Sequence, residues 1–83
     1  MELRHAKYVI ALSEELNFTA AAKRCGVSQP SLSIALLRLE SELGGALFVR
    51  KPKVQLTQLG WRVLPDLHRM THAADALART AAT

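Results

Sequence analysis

Hydrophobic side chains recur at three- and four-residue intervals along most of this chain, which predicts a largely helical protein. A first helix is predicted from Glu2 to Glu15. Its inward face carries Leu3, Ala6, Val9, Ile10 and Ser13. A second, shorter helix is predicted over residues 20–25. The hydroxyl of Thr19 would cap its N-terminus, and Gly26 would end it.

The clearest helical pattern lies between Ser28 and Leu43. Ser28 is a suitable N-cap, and Pro30 falls in the first turn, where a missing N–H does no harm. A continuous apolar stripe faces inward and consists of Leu32, Leu36, Leu39 and Leu43. Two short helices joined by a glycine-containing turn, the second capped and amphipathic, form a helix-turn-helix.

Two short β-compatible segments follow, residues 47–50 and 54–56, on either side of Lys51-Pro52-Lys53. A proline-containing turn between such segments predicts a two-stranded hairpin. A hairpin in this place, after a helix-turn-helix, is called a wing, and it needs the helices to pack on. Residues 1–57 are therefore predicted to form a mostly α winged helix-turn-helix domain of three helices and a two-stranded β wing.

A long last helix is predicted for residues 58–83, capped by Thr57 and bent by Pro65. Trp61 near its start is expected to pack on the domain. The apolar positions of this helix form a heptad seam of Val63, Leu67, Met70, Ala74, Leu77 and Ala81. The seam could pack on its own domain or on a second copy of the chain. We favour dimerisation, because the helix is long for so small a core.

Charge and composition narrow the choice of partner. The net charge is +4 and the sequence pI about 9.9, which favours an anionic partner such as nucleic acid. No apolar run is long enough to span a bilayer, and the N-terminus does not resemble a signal peptide. The lone Cys25 fits a reducing compartment, so we expect a cytoplasmic protein.

No catalytic motif and no complete metal site is evident in the sequence. His68 and His72 lie one helical turn apart and could in principle share a metal ion, but no third ligand accompanies them. Surface histidines are the favoured interpretation. No nucleophile elbow, phosphate loop or carboxylate pair is present, so we expect neither an enzyme nor a cofactor.

The helix from Ser28 to Leu43 has the side chains needed to read base edges. Glutamine pairs bidentately with adenine, serine serves either base edge, and an apolar group such as Ile34 meets a thymine methyl. The predicted DNA-binding residues of this helix are Ser28, Gln29, Pro30, Ser31, Ser33, Ile34 and Arg38. The competing interpretation is a protein-interaction module, in which these residues are merely solvated and the heptad seam binds a partner.

Basic residues of the wing are the predicted phosphate or minor-groove contacts, namely Arg50, Lys51 and Lys53. In isolation such a cluster could equally keep a hairpin edge soluble. Beside a helix-turn-helix, contact with double-stranded DNA is favoured. Thr19 and Lys23 are further phosphate-contact candidates, from the first helix of the pair.

An ordered series of short motifs resembles the DNA-binding domain of the LysR-type bacterial transcriptional regulators. The matching segments cover nearly the whole chain and are Leu3, residues 17–22, 27–33, 39–40, 42–44, 47–50 and 54–57, Gly60 and Pro65. The resemblance implies a winged helix-turn-helix that positions a regulator at a promoter. It also implies dimerisation through the last helix, tetramers of the full-length protein, and a small-molecule inducer bound by a separate effector domain absent from this sequence.

Two departures from the family pattern concern the DNA-contacting parts. The family commonly has Arg then Gln after the Leu32-Ser33 pair, whereas this chain has Ile34-Ala35. Contact at that point is therefore expected to be hydrophobic. The wing is also one residue shorter than usual and has Pro52 in its turn, which changes the expected depth of minor-groove entry.

Overall fold

A computed structural model describes all 83 residues and contains four helices and one hairpin. The elements are α1 (Leu3–Glu15), α2 (Phe18–Cys25), α3 (Gln29–Leu43), β1 (Phe48–Val49), β2 (Gln55–Leu56) and α4 (Gln58–Ala82). The strands pair antiparallel, with Phe48 opposite Leu56. The predicted fold class, a mostly α winged helix-turn-helix followed by a long helix, is confirmed.

Side-chain caps mark the starts of α2, α3 and α4. Ser28 accepts a hydrogen bond from the backbone N–H of Ser31 at 3.2 Å, and Thr57 accepts one from Gly60 at 3.0 Å, as predicted. The predicted cap at Thr19 is wrong, because Asn17 caps α2 by accepting from the N–H of Ala20 at 2.8 Å. Both residue types are good caps. Since α1 already ends at Glu15, α2 can begin at Phe18 and include Thr19.

The core lies where α1, α2, α3 and the first half of α4 meet. Its largest fully buried side chains are Val9, Leu12, Leu32, Leu39 and Leu47. The leucine stripe of α3 packs inward as predicted except at its end, where Leu43 is 38% exposed. The last turn of α3 therefore extends beyond the core.

The heptad seam of α4 is divided between two environments. Leu67 is 3% exposed and belongs to the chain's own core, with Val63 and Met70 packed partly against it. Leu77 is 71% exposed. The prediction that Leu67 contacts a second chain therefore requires correction, because its side chain is buried within its own chain.

The prediction that Trp61 packs on the domain is wrong, because 64% of its surface is exposed. The adjacent Gly60 occupies the inward position instead. A Cβ added at Gly60 would lie 2.3 Å from the carbonyl oxygen of Leu47, so only glycine allows α4 to approach the wing this closely.

The base of the wing is fastened to the start of α4. The hydroxyl of Thr57 donates to the carbonyl oxygen of Ala46 at 2.6 Å, and its N–H donates to that of Leu47 at 2.9 Å.

None of the four helices combines the length and the hydropathy needed to cross a lipid bilayer.

Candidate nucleic-acid interface

The first turns of α3 present a polar surface outside the core. Gln29, Pro30 and Ser31 are exposed, and Ser33 is half-buried. The amide Nε2 of Gln29 donates to the Ser33 hydroxyl at 2.8 Å. One N–H and the carbonyl oxygen of this amide are left free, which is the donor and acceptor pair that adenine recognition in the major groove requires.

The cap of α3 orders the same surface. The Ser28 hydroxyl donates to the Ser31 hydroxyl at 2.8 Å while accepting from the Ser31 backbone N–H. Both serines are exposed. The predicted base-reading side chains thus hydrogen-bond one another, and these bonds restrain their rotamers before any ligand is present.

An apolar pair lies on the same helix. Ile34 is 54% exposed and Leu37 is 57% exposed. Ile34 was among the predicted contacts, whereas Leu37 was not, although its place beside the inward stripe could have indicated it. Exposed aliphatic groups on such a helix can contact thymine methyl groups.

Two of the three predicted wing cations point into solvent. Lys51 and Lys53 are exposed, and neither belongs to any of the chain's ion pairs. Arg50 differs, because its Nη2 lies 3.7 Å from Oε1 of Glu40 and its guanidinium lies 5.2 Å from the Phe18 ring centroid. The Arg50 guanidinium is therefore directed towards the body of the domain.

Glu40 joins α3 to the wing, and sequence reasoning gave it no role. Its carboxylate accepts from the backbone N–H of Leu47 at 2.6 Å and from that of Phe48 at 3.4 Å. The residue is only 7% exposed. A charged residue so deeply buried requires partners, and here backbone donors and Arg50 provide them. Glu40 thereby fixes the position of the wing relative to α3.

The predicted contacts on α2, Thr19 and Lys23, are both exposed. Thr19 lies in the first turn, and Lys23 forms no ion pair. The neighbouring Arg24 is held by the carboxylates of Glu14 at 2.5 Å and Glu15 at 3.2 Å. Their hydrogen bonds, that of Glu14 first, raise the pKa of Arg24 above its ordinary value. Lys23 is the uncommitted cation of α2.

Arg38, the last of the predicted contacts on α3, is exposed and forms no ion pair.

The two histidines considered as metal ligands, His68 and His72, have ring centroids 6.0 Å apart. No group of three or more histidine, cysteine, aspartate or glutamate side chains is arranged to hold a metal ion.

A capped helix of exposed polar side chains, with a basic hairpin fixed beside it, defines a winged helix-turn-helix of the DNA-binding class. The family model described as "Bacterial regulatory helix-turn-helix protein, lysR family" matches residues 3–61. The chain belongs to the LysR family and comprises its DNA-binding domain.

Curated relatives include named transcription regulators. The HTH-type transcriptional regulator BudR of Klebsiella aerogenes is 43% identical over 77 residues, which cover 92% of this chain and 54% of that protein. The Hca operon transcriptional activator HcaR of Escherichia coli is 49% identical over 76 residues, 90% of this chain and 26% of that protein. The chain thus spans about half the length of the first relative and about a quarter of the second.

Solved structures with the same fold include two protein–DNA complexes. The structure titled CbnR_DBD-DNA complex has a TM-score of 0.87 and 39% identity, over 100% of both chains. The structure titled BenM_DBD/benA site 1 DNA complex has a TM-score of 0.89 and 34% identity, over 98% of this chain and 92% of that chain. Both are structures to which this chain is similar.

Proposed function

We propose that this chain binds double-stranded DNA sequence-specifically and positions a bacterial transcription regulator at its promoter. The observation that carries the proposal is the exposed first part of α3, where Gln29, Ser31 and Ser33 bond to one another or to a cap instead of to the core. The two similar domains solved in complex with DNA support it, since this chain matches them along nearly its whole length.

The role that we propose for each DNA-contacting residue follows from its side-chain chemistry. Gln29 reads adenine through its free amide groups, and Ile34 makes a hydrophobic contact at the groove floor. Lys23, Lys51 and Lys53 neutralise phosphates, because each is exposed and none is engaged by a carboxylate. Arg50 acts mainly by holding the wing in place, in contrast to the contact expected from its position in the sequence.

Two copies of the domain read one site in this proposal. The outer end of the seam, formed by half-buried Ala74 and by exposed Leu77 and Ala81, pairs with its counterpart in a second chain. A twofold axis then relates two α3 helices, so the site is an inverted repeat with half-sites about 34–36 Å apart or a multiple of that distance.

The proposed setting is that of the longer relatives. A small-molecule inducer would bind to an effector domain outside residues 1–83, and the winged helix-turn-helix of residues 1–57 would need no cofactor of its own. The full-length protein would assemble as a tetramer in the cytoplasm. The fraction of each relative that this chain spans, 54% for BudR and 26% for HcaR, is consistent with further domains in those proteins.

Selection of bound sites from random duplex DNA, followed by titration of two variants, tests the proposal. We expect the wild-type chain to enrich an inverted repeat. Gln29→Ala should lose ~1–3 kcal/mol on that site and relax base preference at one position in each half-site. Lys53→Gln should instead weaken all sequences alike and reduce the salt slope by about 0.9.

The contrast between these variants is the control, because both remove one exposed side chain from the same interface. Enrichment of no sequence by the wild-type chain would overturn the proposed function. If a site is enriched and Gln29→Ala binds it with unchanged affinity and selectivity, the reading role of Gln29 is wrong.

A further inference from the structure

A concave surface lies beside the base-reading turn of α3, between that helix and the start of α1. We call it the α1–α3 groove. It has a volume of about 260 Å³ and is lined by Arg4, His5 and Tyr8 from α1 and by Ser31, Ile34, Ala35 and Arg38 from α3. This volume lies below the ~300–1,000 Å³ of pockets that bind drug-sized ligands. The groove is therefore suited to a single small group.

The residues that line the α1–α3 groove include several unused donors and no carboxylate, although the Glu2 carboxylate lies at its edge, 3.3 Å from Nε2 of His5. Arg38 forms no ion pair, and the Tyr8 hydroxyl has no hydrogen-bond partner in the chain. The Ser31 hydroxyl accepts from Ser28 and donates to no protein atom, so its proton remains available. These donors are suited to an acceptor-rich ligand.

Arg4 supplies a second cation, whose ion pair with Glu2 can be broken at little loss of stability. Its Nη2 lies 3.1 Å from Oε2 of Glu2, and the side chains are 65% and 59% exposed. An exposed pair of this kind contributes little stability and is easily exchanged. The groove thus offers two guanidinium groups, each with a planar fork that matches the two free oxygens of a phosphodiester.

We propose that the α1–α3 groove binds one backbone phosphate of the DNA whose bases α3 reads, held between Arg4 and Arg38. This inference rests on the proposed function. It depends on position as well as chemistry, because Ser31 and Ile34 belong both to the groove and to the predicted reading surface. A strand that borders the major groove at α3 therefore passes the opening, and its phosphate fixes the register of the helix on the duplex.

Single-phosphate replacement tests the assignment. Duplexes selected by the wild-type chain would carry an uncharged methylphosphonate at one backbone position at a time. We expect one position per half-site at which neutralisation weakens wild-type binding roughly three- to tenfold at 0.1 M salt. In Arg4→Gln or Arg38→Gln, neutralising that position should have little further effect, because the coupled partner has gone.

Matched variants separate this contact from a general loss of charge. Arg79→Gln removes an exposed, unpaired arginine near the end of α4 and should leave the phosphate dependence unchanged. Arg4→Lys and Arg38→Lys keep the charge without the fork and should recover part of the affinity. Circular dichroism checks that each variant is folded.

Two outcomes would overturn the inference while leaving the proposed function intact. One is site-selective binding by Arg4→Gln and Arg38→Gln that matches Arg79→Gln in affinity and salt slope. The other is a loss of affinity without any coupled phosphate position. Failure of the wild-type chain to enrich any sequence would instead count against the proposed function itself.

Inorganic phosphate provides the remaining arm, because a free anion shares the same chemistry. Phosphate is titrated into the wild-type chain and followed by the amide NMR shifts of Ser31 and Arg38. We expect only weak binding, with a dissociation constant well above the millimolar range. Tighter binding that depends on both arginines, without a coupled position in the DNA, would assign the groove to a free phosphate and overturn the DNA assignment.

Discussion

At the scale of single residues, the carboxylate of Glu40 connects α3, the proposed reading helix, with the hairpin beside it. It is 7% exposed and accepts two backbone hydrogen bonds from the base of the wing. Sequence reasoning could not find this role, because the donors are backbone groups of Leu47 and Phe48, which any residue would offer. Only the fold brings them to α3.

Glu40→Ala should destabilise the domain by about 1–3 kcal/mol, because it leaves buried N–H groups without an acceptor. Glu40→Gln keeps an oxygen at the same place and should cost less. Urea unfolding, followed by circular dichroism, measures both through the midpoint at constant m. Asp75→Ala, at an exposed and unpaired carboxylate, is the control. Equal midpoints for Glu40→Ala and this control would refute the connecting role.

Cys25 gives a prediction for pH. Burial raises the pKa of its thiol above the ordinary value, and the opposing effect of Arg24 is smaller. Less thiolate is therefore present near neutral pH in the folded chain than in the unfolded one. The rate of alkylation by iodoacetamide should rise with pH at a higher midpoint in the native chain than in urea. A native midpoint at or below the unfolded one would contradict this. Cys25 is the chain's only cysteine, so the signal has one source.

At the scale of elements, the sequence predicted the helices and the hairpin well, because caps and periodicity are local properties. Ser28 and Thr57 were identified as caps, and the end of α2 at Gly26 follows from its φ of 71°. The error at Thr19 arose because Asn17 is an equally good cap two residues earlier. Local chemistry allowed both, and the end of α1 decided between them.

Errors in α4 have a different cause. Leu67 and Leu77 share one heptad seam, yet the first is 3% exposed and the second 71% exposed. Periodicity predicts which residues share a face but not where the domain beneath that face ends. The position of Trp61 was missed for a related reason, since the close backbone approach at Gly60 is visible only in the fold.

Leu77→Asp should weaken self-association without unfolding the chain, because the Leu77 side chain is not part of the chain's own core. A charge buried in a helix–helix seam is strongly unfavourable. Sedimentation equilibrium would report a dimer for the wild-type chain and a shift towards monomer for the variant. Ala76→Asp lies off the seam and should leave the dimer intact. Equal association of both variants would refute the proposed interface.

At the scale of the whole molecule, the structure shows which of the basic residues behind the net charge of +4 are free to bind a ligand. Several basic residues are engaged internally, notably Arg24 with two glutamates and Arg50 with Glu40. Those left free beside the reading helix are Lys23, Arg38, Lys51 and Lys53. The sequence predicted a basic protein with an anionic partner. It could not predict which cations are available, because that depends on carboxylates brought close by folding.

The local hydrogen bonds of the reading turn have a consequence for redesign. Gln29 and Ile34 are exposed, and the Gln29 side chain bonds only to the neighbouring Ser33, so neither side chain contributes much to the stability of the domain. New specificities could be installed at these positions by exchange of side chains, with the scaffold held by Glu40 and the leucines beneath. Operator preference and foldability of this domain can then vary separately.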